Sequence, residues 1–227
     1  MSTRLILVRH CEAEGNFRRL FQGSTDAPVS EKGRVQLDLL SVRCRNMEID
    51  RIYTSPLRRA RETAEAVNRY HHLPVEVRDG LREIDGGEME NQPWEDFPRL
   101  YPEQAAHWNK EPWLFCPPGG EPMRHVYDRI WNTILEIMRE NPGRTVCAAS
   151  HGCAIRNFLC RASGWPIERL NEMDWCDNTG LSIVNFDGEL RPHIVLMNDA
   201  SHLTGDTSTF ATQDWWKPEN RGGDVFG

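Results

Sequence analysis

Two histidines in the sequence each come shortly after a short apolar segment. His10 follows residues 5–8 with Arg9 between them, and His151 comes soon after residues 145–149. A neutral imidazole is a competent nucleophile near pH 7. The rigid fork of arginine meets phosphate oxygens bidentately. Brought together, such side chains could hold a phosphate ester and attack its phosphorus atom.

Two other groups of the right chemistry follow two more apolar segments. Arg59 lies in TSPLRRARETA, and Glu83 lies in LREIDGGEMEN. A phosphomonoester site must neutralise the phosphoryl oxygens and protonate the departing oxygen. An arginine suits the first task and a carboxylic acid the second. Arg58 and Asp85 are the neighbouring alternatives, since only one arginine of the pair can point into a site and Asp85 lies on the same side of an extended segment as Glu83.

The apolar patterns predict strands that alternate with helices. The predicted strands cover residues 5–8, 51–54, 75–77, 145–149, 181–186 and 194–197. Alternation of this kind indicates an α/β fold, with a mostly parallel central sheet flanked by helices on both faces. In such sheets the ligand site lies at the carboxyl ends of the strands. All four chemical groups would therefore meet at one edge of the sheet.

Two serines are predicted to begin helices. Ser30, with Gly33 three residues later, is a typical N-cap, and Ser55 precedes Pro56, a residue favoured at the first helical position. Further helices are predicted over residues 126–141 and from about residue 152 to Gly164, where glycine is a common stop signal.

Residues 86–120 show no clean period, and we interpret them as a small inserted cap of short helices over the site. The whole chain, residues 1–227, is predicted to be a single domain with a C-terminal tail from about residue 200. We expect at least two of the three tryptophans 94, 108 and 113 to pack the cap itself and not to line a substrate pocket. In the tail, His202 would approach the site only if the segment folds back, and Trp215-Trp216 is the only apolar anchor.

Composition narrows the classes of function. The chain has 227 residues, of which 39% are hydrophobic and 27% charged, as in an ordinary soluble protein. A net charge of −7 disfavours a nucleic-acid partner. No apolar run approaches a membrane span and no signal peptide is recognisable, so we expect a cytoplasmic protein without a membrane partner. Seven scattered cysteines without a C-x-x-C pair argue against a disulfide scaffold or a structural zinc site.

The ordered motifs resemble those of the histidine phosphatase (phosphoglycerate mutase-like) superfamily. They are LILVRHCEAEGN, Gly23-x-x-Asp26-x-Pro28 with Gly33 beyond, TSPLRRARETA, LREIDGGEMEN, PPGGE and ASHGCAIR, which together span most of residues 3–160. The resemblance implies a phosphohistidine on His10, a proton donor at Glu83 and no metal or cofactor. It also favours Arg59 over Arg58 and Glu83 over Asp85. The remaining implied positions are a phosphate pocket of Arg9, Arg59 and the catalytic His151, a phosphoryl contact at Asn16, and substrate contacts at Gln22 and Gly23.

One position departs from the family pattern. Cys11 follows the nucleophile where the family usually has glycine. We expect this side chain either to narrow the pocket or to make the site sensitive to oxidation. No catalytic group is lost through the change.

The predicted function is hydrolysis of a small phosphorylated metabolite. The alternative within the family is a mutase, which moves a phosphoryl group within one sugar acid; the compact IDGGEMEN after the proton donor looks more like the hydrolases. A non-catalytic phospho-ligand-binding member is a third reading. A cysteine-based phosphatase is excluded because Phe17 occupies the position where Cys11 would need an arginine. The resemblance also suggests a homodimer, which is common in the family.

Overall fold

The computed structural model describes residues 2–213, and Trp215 and Trp216 lie outside the described residues. A six-stranded sheet with the order β3-β2-β4-β1-β5-β6 forms its centre. The strands are β1 (Thr3–Arg9), β2 (Arg51–Thr54), β3 (Val75–Val77), β4 (Thr145–Ser150), β5 (Leu181–Phe186) and β6 (Pro192–Asp199). The first four are parallel, and β5 and β6 are antiparallel to their neighbours. The predicted mostly parallel α/β sheet is confirmed.

Helices connect the strands and cover the sheet. They are α1 (Glu14–Phe17), α2 (Glu31–Cys44), α3 (Arg58–Asn68), α4 (Phe97–Leu100), α5 (Pro102–Lys110), α6 (Met123–Glu140), α7 (Gly152–Ala162) and α8 (Thr209–Thr212). Short 3-10 turns occur at Asp79–Leu81, Gly87–Met89, Trp94–Asp96, Pro112–Leu114, Ile167–Glu172 and Gly205–Thr207. Within residues 2–213, no helix is long and apolar enough to cross a membrane.

Alternate residues of the central strand β1 serve opposite faces of the sheet, as the two-residue period of a strand requires. Ile6 and Val8 pack with the buried residues of α2 and α3. Leu5 and Leu7 belong to the larger cluster formed with α6, α7 and the segment 86–120. Strand β1 is buried on both faces, which explains its unbroken apolar run.

One of the two predicted helix starts is correct. Ser30 caps α2, and its hydroxyl accepts a hydrogen bond from the Gly33 N–H at 3.0 Å. The prediction for Ser55 is wrong, because α3 begins at Arg58 with Leu57 as its N-cap. The Ser55 hydroxyl instead lies 2.7 Å from Nε2 of His151. The Ser55 side chain therefore makes a tertiary contact in place of the helix cap that the local sequence predicts.

Candidate active site

The ends of β1 and β4 bring the two histidines together. Arg9 pairs with Ser150 in the parallel register, and the His10 N–H donates to the Ser150 carbonyl at 2.9 Å. The chain then delivers His10 and His151 side by side, with ring centroids 5.1 Å apart. Both rings are buried, since His10 is only 4% exposed and His151 is 0% exposed.

The environment of His10 fixes which ring nitrogen carries the proton. Its Nδ1 lies 2.6 Å from the carbonyl oxygen of Cys11. A carbonyl can only accept, so Nδ1 donates. Burial lowers the pKa of His10 well below its usual value, and the charges of Arg59 and Arg9 lower it further. The ring is therefore neutral near pH 7, and its Nε2 keeps a lone pair available for attack.

In His151 the other ring nitrogen, Nε2, has the hydrogen-bond partner. Its Nε2 contacts the Ser55 hydroxyl, which also accepts a bond from the Leu57 N–H at 3.3 Å. A hydroxyl proton given to Nε2 leaves the ring's own proton on Nδ1, which has no hydrogen-bond partner among the described residues. Burial lowers the pKa of His151 well below its usual value, and electrostatic interactions with Arg59 and His10 lower it further. This ring is a neutral donor.

Arg9 and Arg59 are two buried cations beside the histidines. Arg9 donates through Nη1 to the Cys176 carbonyl, and Arg59 donates through Nη1 and Nη2 to the carbonyls of Thr25 and Gly23, at 2.6 and 2.8 Å. Burial lowers the pKa of both, that of Arg59 to about 10, so both stay charged at neutral pH. Each retains a buried Nε without a partner in residues 2–213. By contrast, Arg58 is exposed and bonds Glu62.

Glu83 lies at the N-terminus of α7. Its carboxylate accepts backbone bonds from Cys153 at 3.0 Å, Ala154 at 3.1 Å and Ile84 at 2.9 Å. Burial nevertheless raises the pKa of Glu83, although these hydrogen bonds and the charge of Arg59 act to lower it. A carboxyl group that is readily protonated is suited to give a proton to a leaving group. Asp85 does not line the cavity; its carboxylate accepts from the Gly87 N–H.

One cavity connects most of the predicted residues. Its lining includes Arg9, His10, Asn16, Gln22 and Glu83. The other three predicted residues, Gly23, Arg59 and His151, are not part of the lining, although the ring of His151 lies 5.1 Å from that of His10.

The loop residues among these predictions have distinct surroundings. The Asn16 side-chain oxygen accepts from the Ala13 N–H at 3.0 Å, which fixes the short helix α1. Both polar atoms of the Gln22 amide are buried and have no partner among the described residues. At Gly23 a Cβ would come within 2.1 Å of the Ile84 carbonyl, so no larger residue fits this turn.

A family model of the histidine phosphatase superfamily (branch 1) matches residues 5–200. The chain belongs to the histidine phosphatase superfamily. Phosphoserine phosphatase 1 of Hydrogenobacter thermophilus is 32% identical over 200 residues, which cover 88% of this chain and 94% of that protein. A 2,3-bisphosphoglycerate-dependent phosphoglycerate mutase of Brucella ovis is 29% identical over 191 residues, 81% of this chain and 92% of that protein.

Among solved structures, YhfR of Bacillus stearothermophilus superposes with a TM-score of 0.84 and 31% identity, covering 88% of this chain and 98% of that one. The predicted family and phosphatase class are confirmed, and the substrate of this histidine phosphatase is a phosphate ester.

Cys11, the departure from the family pattern, does not reach the cavity of this histidine phosphatase. Its thiol is fully buried against the start of α3, where Sγ lies 3.9 Å from the Arg59 carbonyl. Its N–H donates to the Thr63 hydroxyl at 3.0 Å. Burial raises the pKa of the thiol to about 12. The residue neither narrows the pocket nor presents a reactive thiolate.

The segment 86–120 contributes more to the cavity of the histidine phosphatase than we expected. Trp94 and Trp108 line it, although they also pack with Phe21 in one aromatic cluster. The expectation that at least two of the three tryptophans serve packing alone is therefore wrong. Trp113 packs against the main core and is absent from the lining.

His202 folds back toward β1 without lining the cavity. Its Nε2 lies 3.0 Å from the Thr179 hydroxyl, and the Thr179 N–H donates to the Arg9 carbonyl at 3.0 Å. The chain beyond it does reach the cavity, which Thr209 and Gln213 help to line. No motif in the sequence indicated this contribution.

Proposed function

We propose that this histidine phosphatase hydrolyses a small phosphate ester through a phosphohistidine on His10. The observation that carries the proposal is a set of three buried nitrogens around His10 that have no hydrogen-bond partner among the described residues. They are Nε of Arg9, Nε of Arg59 and Nδ1 of His151. Unpaired buried donors are costly, and phosphoryl oxygens would satisfy them.

The chemistry proceeds in two displacements. Nε2 of His10 attacks phosphorus, the ester P–O bond breaks, and the proton of Glu83 goes to the departing oxygen. Water then attacks the phosphohistidine and gives a proton back to Glu83, while the N–P bond breaks and phosphate leaves. Arg9, Arg59 and His151 stabilise the charge on the equatorial oxygens in both steps. Asn16 and Gln22 line the same cavity and would contact the bound ester.

Activity on p-nitrophenyl phosphate in EDTA tests the proposal, with wild type compared to His10→Ala. Loss of a covalent catalyst should lower kcat by on the order of 10³-fold or more. The control is His193→Ala, at an exposed position on β6. Rapid quenching with labelled substrate should also trap protein-bound label that is stable to alkali and released by acid. Unchanged activity in His10→Ala would contradict the proposal.

A mutase activity is the competing outcome of the same experiment, since the Brucella ovis relative is named as a mutase. Wild type is therefore incubated with 2-phosphoglycerate and 3-phosphoglycerate. Release of inorganic phosphate supports the hydrolase, and interconversion without release supports the mutase. The homodimer and the cytoplasmic location stay predictions, and light scattering of the purified protein tests the first.

A further inference from the structure

Arg129, on α6, contacts the backbone that carries Glu83 and does not line the cavity. Only 9% of its side chain is exposed. Nε donates to Oε1 of Glu121 and Nη2 to Oε2, both at 2.8 Å. Nη1 donates to the carbonyls of Gly80 at 2.8 Å and Arg82 at 2.9 Å, and Nη2 also donates to the Glu83 carbonyl at 3.4 Å. These bonds use all five N–H donors of the guanidinium group.

The segment that carries the proton donor is held by side chains from distant parts of the chain. Residues 82–86 belong to no helix or strand. Of the four carbonyls of residues 80–83, three accept from Arg129. The carbonyl of Leu81 accepts from the Ser150 hydroxyl at 2.7 Å. The path of this backbone therefore depends on a helix that comes about 46 residues later in the chain.

The helix that carries Arg129 is itself fixed in the core. Ile130 and Ile134 on α6 are both fully buried. The helix also approaches the segment closely, since a Cβ at Gly80 would come within 1.9 Å of the Thr133 hydroxyl oxygen. Arg129 thus extends from a rigid element onto a segment that has no regular structure of its own.

Glu121 orients the guanidinium group of Arg129. It is 6% exposed, and its two oxygens accept the bidentate fork described above. Nδ1 of the exposed His125 lies 2.8 Å from the same Oε1. The Glu121 N–H donates to the Asp85 carbonyl at 2.8 Å. The two paired residues therefore contact the chain on both sides of the proton donor.

We propose that Arg129, oriented by Glu121, is a positioning residue for the proton donor. The N–H groups of α7 hold the Glu83 carboxyl group, and Arg129 holds the backbone from which it extends. The inference rests on the proposed hydrolase function and adds two residues outside the cavity to it. A general acid must lie within hydrogen-bond distance of the departing oxygen. A displaced acid impairs only those leaving groups that need its proton, which distinguishes positioning from a general role in folding.

Two aromatic esters of similar size test the inference. Benzyl phosphate releases an alcohol that needs a proton, and p-nitrophenyl phosphate releases a phenolate that does not. Arg129→Met should lower kcat/KM on benzyl phosphate more than on p-nitrophenyl phosphate. The ratio of the two values should fall by on the order of 10-fold to 10²-fold, since a misplacement of about 1 Å has effects of this size.

Arg129→Lys is the milder variant and keeps the test valid if Arg129→Met does not fold, which thermal melting reveals. Lysine keeps an amine beside Glu121 but has three donors in place of five. The ratio should fall in the same direction by less. Equal fractional losses on the two esters in the folded variants would reveal a purely structural role and overturn the inference.

The double variant Glu83→Gln/Arg129→Met tests whether Arg129 acts through Glu83. Glu83→Gln alone removes the proton. If Arg129 acts only by placing that proton, its loss in this background should leave the ratio of kcat/KM values unchanged. A further fall of the ratio would overturn the inference.

Arg124→Met is the matched control, an arginine on the same helix whose Nη2 bonds Glu168 at 2.9 Å in an exposed contact. It should keep the wild-type ratio. A wild type active on p-nitrophenyl phosphate alone would show that no acid assists the leaving group, which overturns the inference and leaves a phosphatase. Inactivity of the wild type on both esters would remove the proposed function itself.

Discussion

Burial shifts the pKa values of three titratable groups of the site in the direction that favours their uncharged forms. It lowers the pKa of His10 and of His151 and raises the pKa of Glu83. The site therefore pairs a neutral nucleophile and a readily protonated acid with two permanent cations, Arg9 and Arg59. A phosphate dianion enters a region of net positive charge without first displacing a proton from the nucleophile.

The directions of these shifts predict the pH dependence of Glu83→Gln. His10 must be unprotonated and Glu83 protonated, so kcat/KM of the wild type should fall at high pH as Glu83 ionises. The variant has no proton to lose there, and its alkaline limb should flatten. For an alkyl phosphate, kcat/KM should drop by about 10²–10⁴-fold. For p-nitrophenyl phosphate the drop should be much smaller, because nitrophenolate leaves without a proton.

Asp85→Asn serves as the control, since Asp85 is the neighbouring carboxylate outside the cavity lining. It should keep the wild-type pH profile on both substrates. Equal losses on the two substrates in Glu83→Gln would show that the carboxyl group acts by position and not as an acid.

At the scale of structural elements, two side chains of opposite charge, Glu90 and Arg59, fix the loop at residues 23–25. Glu90 accepts from the backbone N–H groups of Gly23 at 3.2 Å, Ser24 at 2.7 Å and Thr25 at 3.1 Å. Arg59 donates to two carbonyls of the same loop. The loop follows Gln22 directly and fixes where its amide meets the cavity. Glu90 lies within the motif LREIDGGEMEN, but the sequence analysis assigned it no role.

Replacing this carboxylate should loosen the loop. In Glu90→Gln, one of the two acceptor oxygens is replaced by an amide NH2 group, a donor that faces N–H donors, so kcat/KM on p-nitrophenyl phosphate should fall by about tenfold or more. Glu88→Gln makes the same change of charge at an exposed position two residues earlier. Steady-state kinetics of both variants, with thermal melting to monitor folding, make the comparison. Similar losses in both variants would assign the effect to net charge and not to the loop.

From the sequence we could predict the features that depend on residues close along the chain or on the order of the strands. Ser30 caps α2 because its partner Gly33 is three residues away, and the ends of β1 and β4 meet because both are parallel strands. Ser55 was mispredicted because its hydroxyl contacts a residue 96 positions away. Trp94 and Trp108 could not be assigned to the cavity from the sequence. The segment 86–120 has no regular hydrophobic period, so the direction of its side chains could not be inferred.

At the scale of the whole molecule, the early and late parts of the chain close the site together. Glu12 is a buried carboxylate, with only 1% of the residue exposed. Its carboxylate accepts from the hydroxyls of Ser30 at 2.7 Å and Thr209 at 3.1 Å. The Gln36 amide donates to the Thr207 carbonyl at 2.9 Å and to the Thr209 hydroxyl at 3.2 Å. These bonds anchor α8 where Thr209 lines the cavity.

Thr209→Val should weaken this closure without a change of side-chain shape. It leaves the buried groups of Glu12 and Gln36 each short of one partner, so the free energy of unfolding should fall by about 1–3 kcal/mol. Urea denaturation measures the change. Thr212→Val is the control, because the Thr212 hydroxyl meets the Lys32 amine at 3.0 Å in an exposed contact. That change should stay within about 0.5 kcal/mol. Equal destabilisation by both variants would contradict the anchoring role.

The place of β1 in the sheet has a consequence for biosynthesis. This strand is made before the other five, yet it lies between β4 and β5, with Arg4 paired to Thr145 and Thr3 paired to Phe186. Its two neighbours are translated only after more than half of the chain. Throughout that time the apolar residues 5–8 have no sheet to join, a situation that delays folding and favours aggregation. His10 is thus made before the neighbouring strands of the sheet, and the nascent chain depends on β4 and β5 to complete its surroundings.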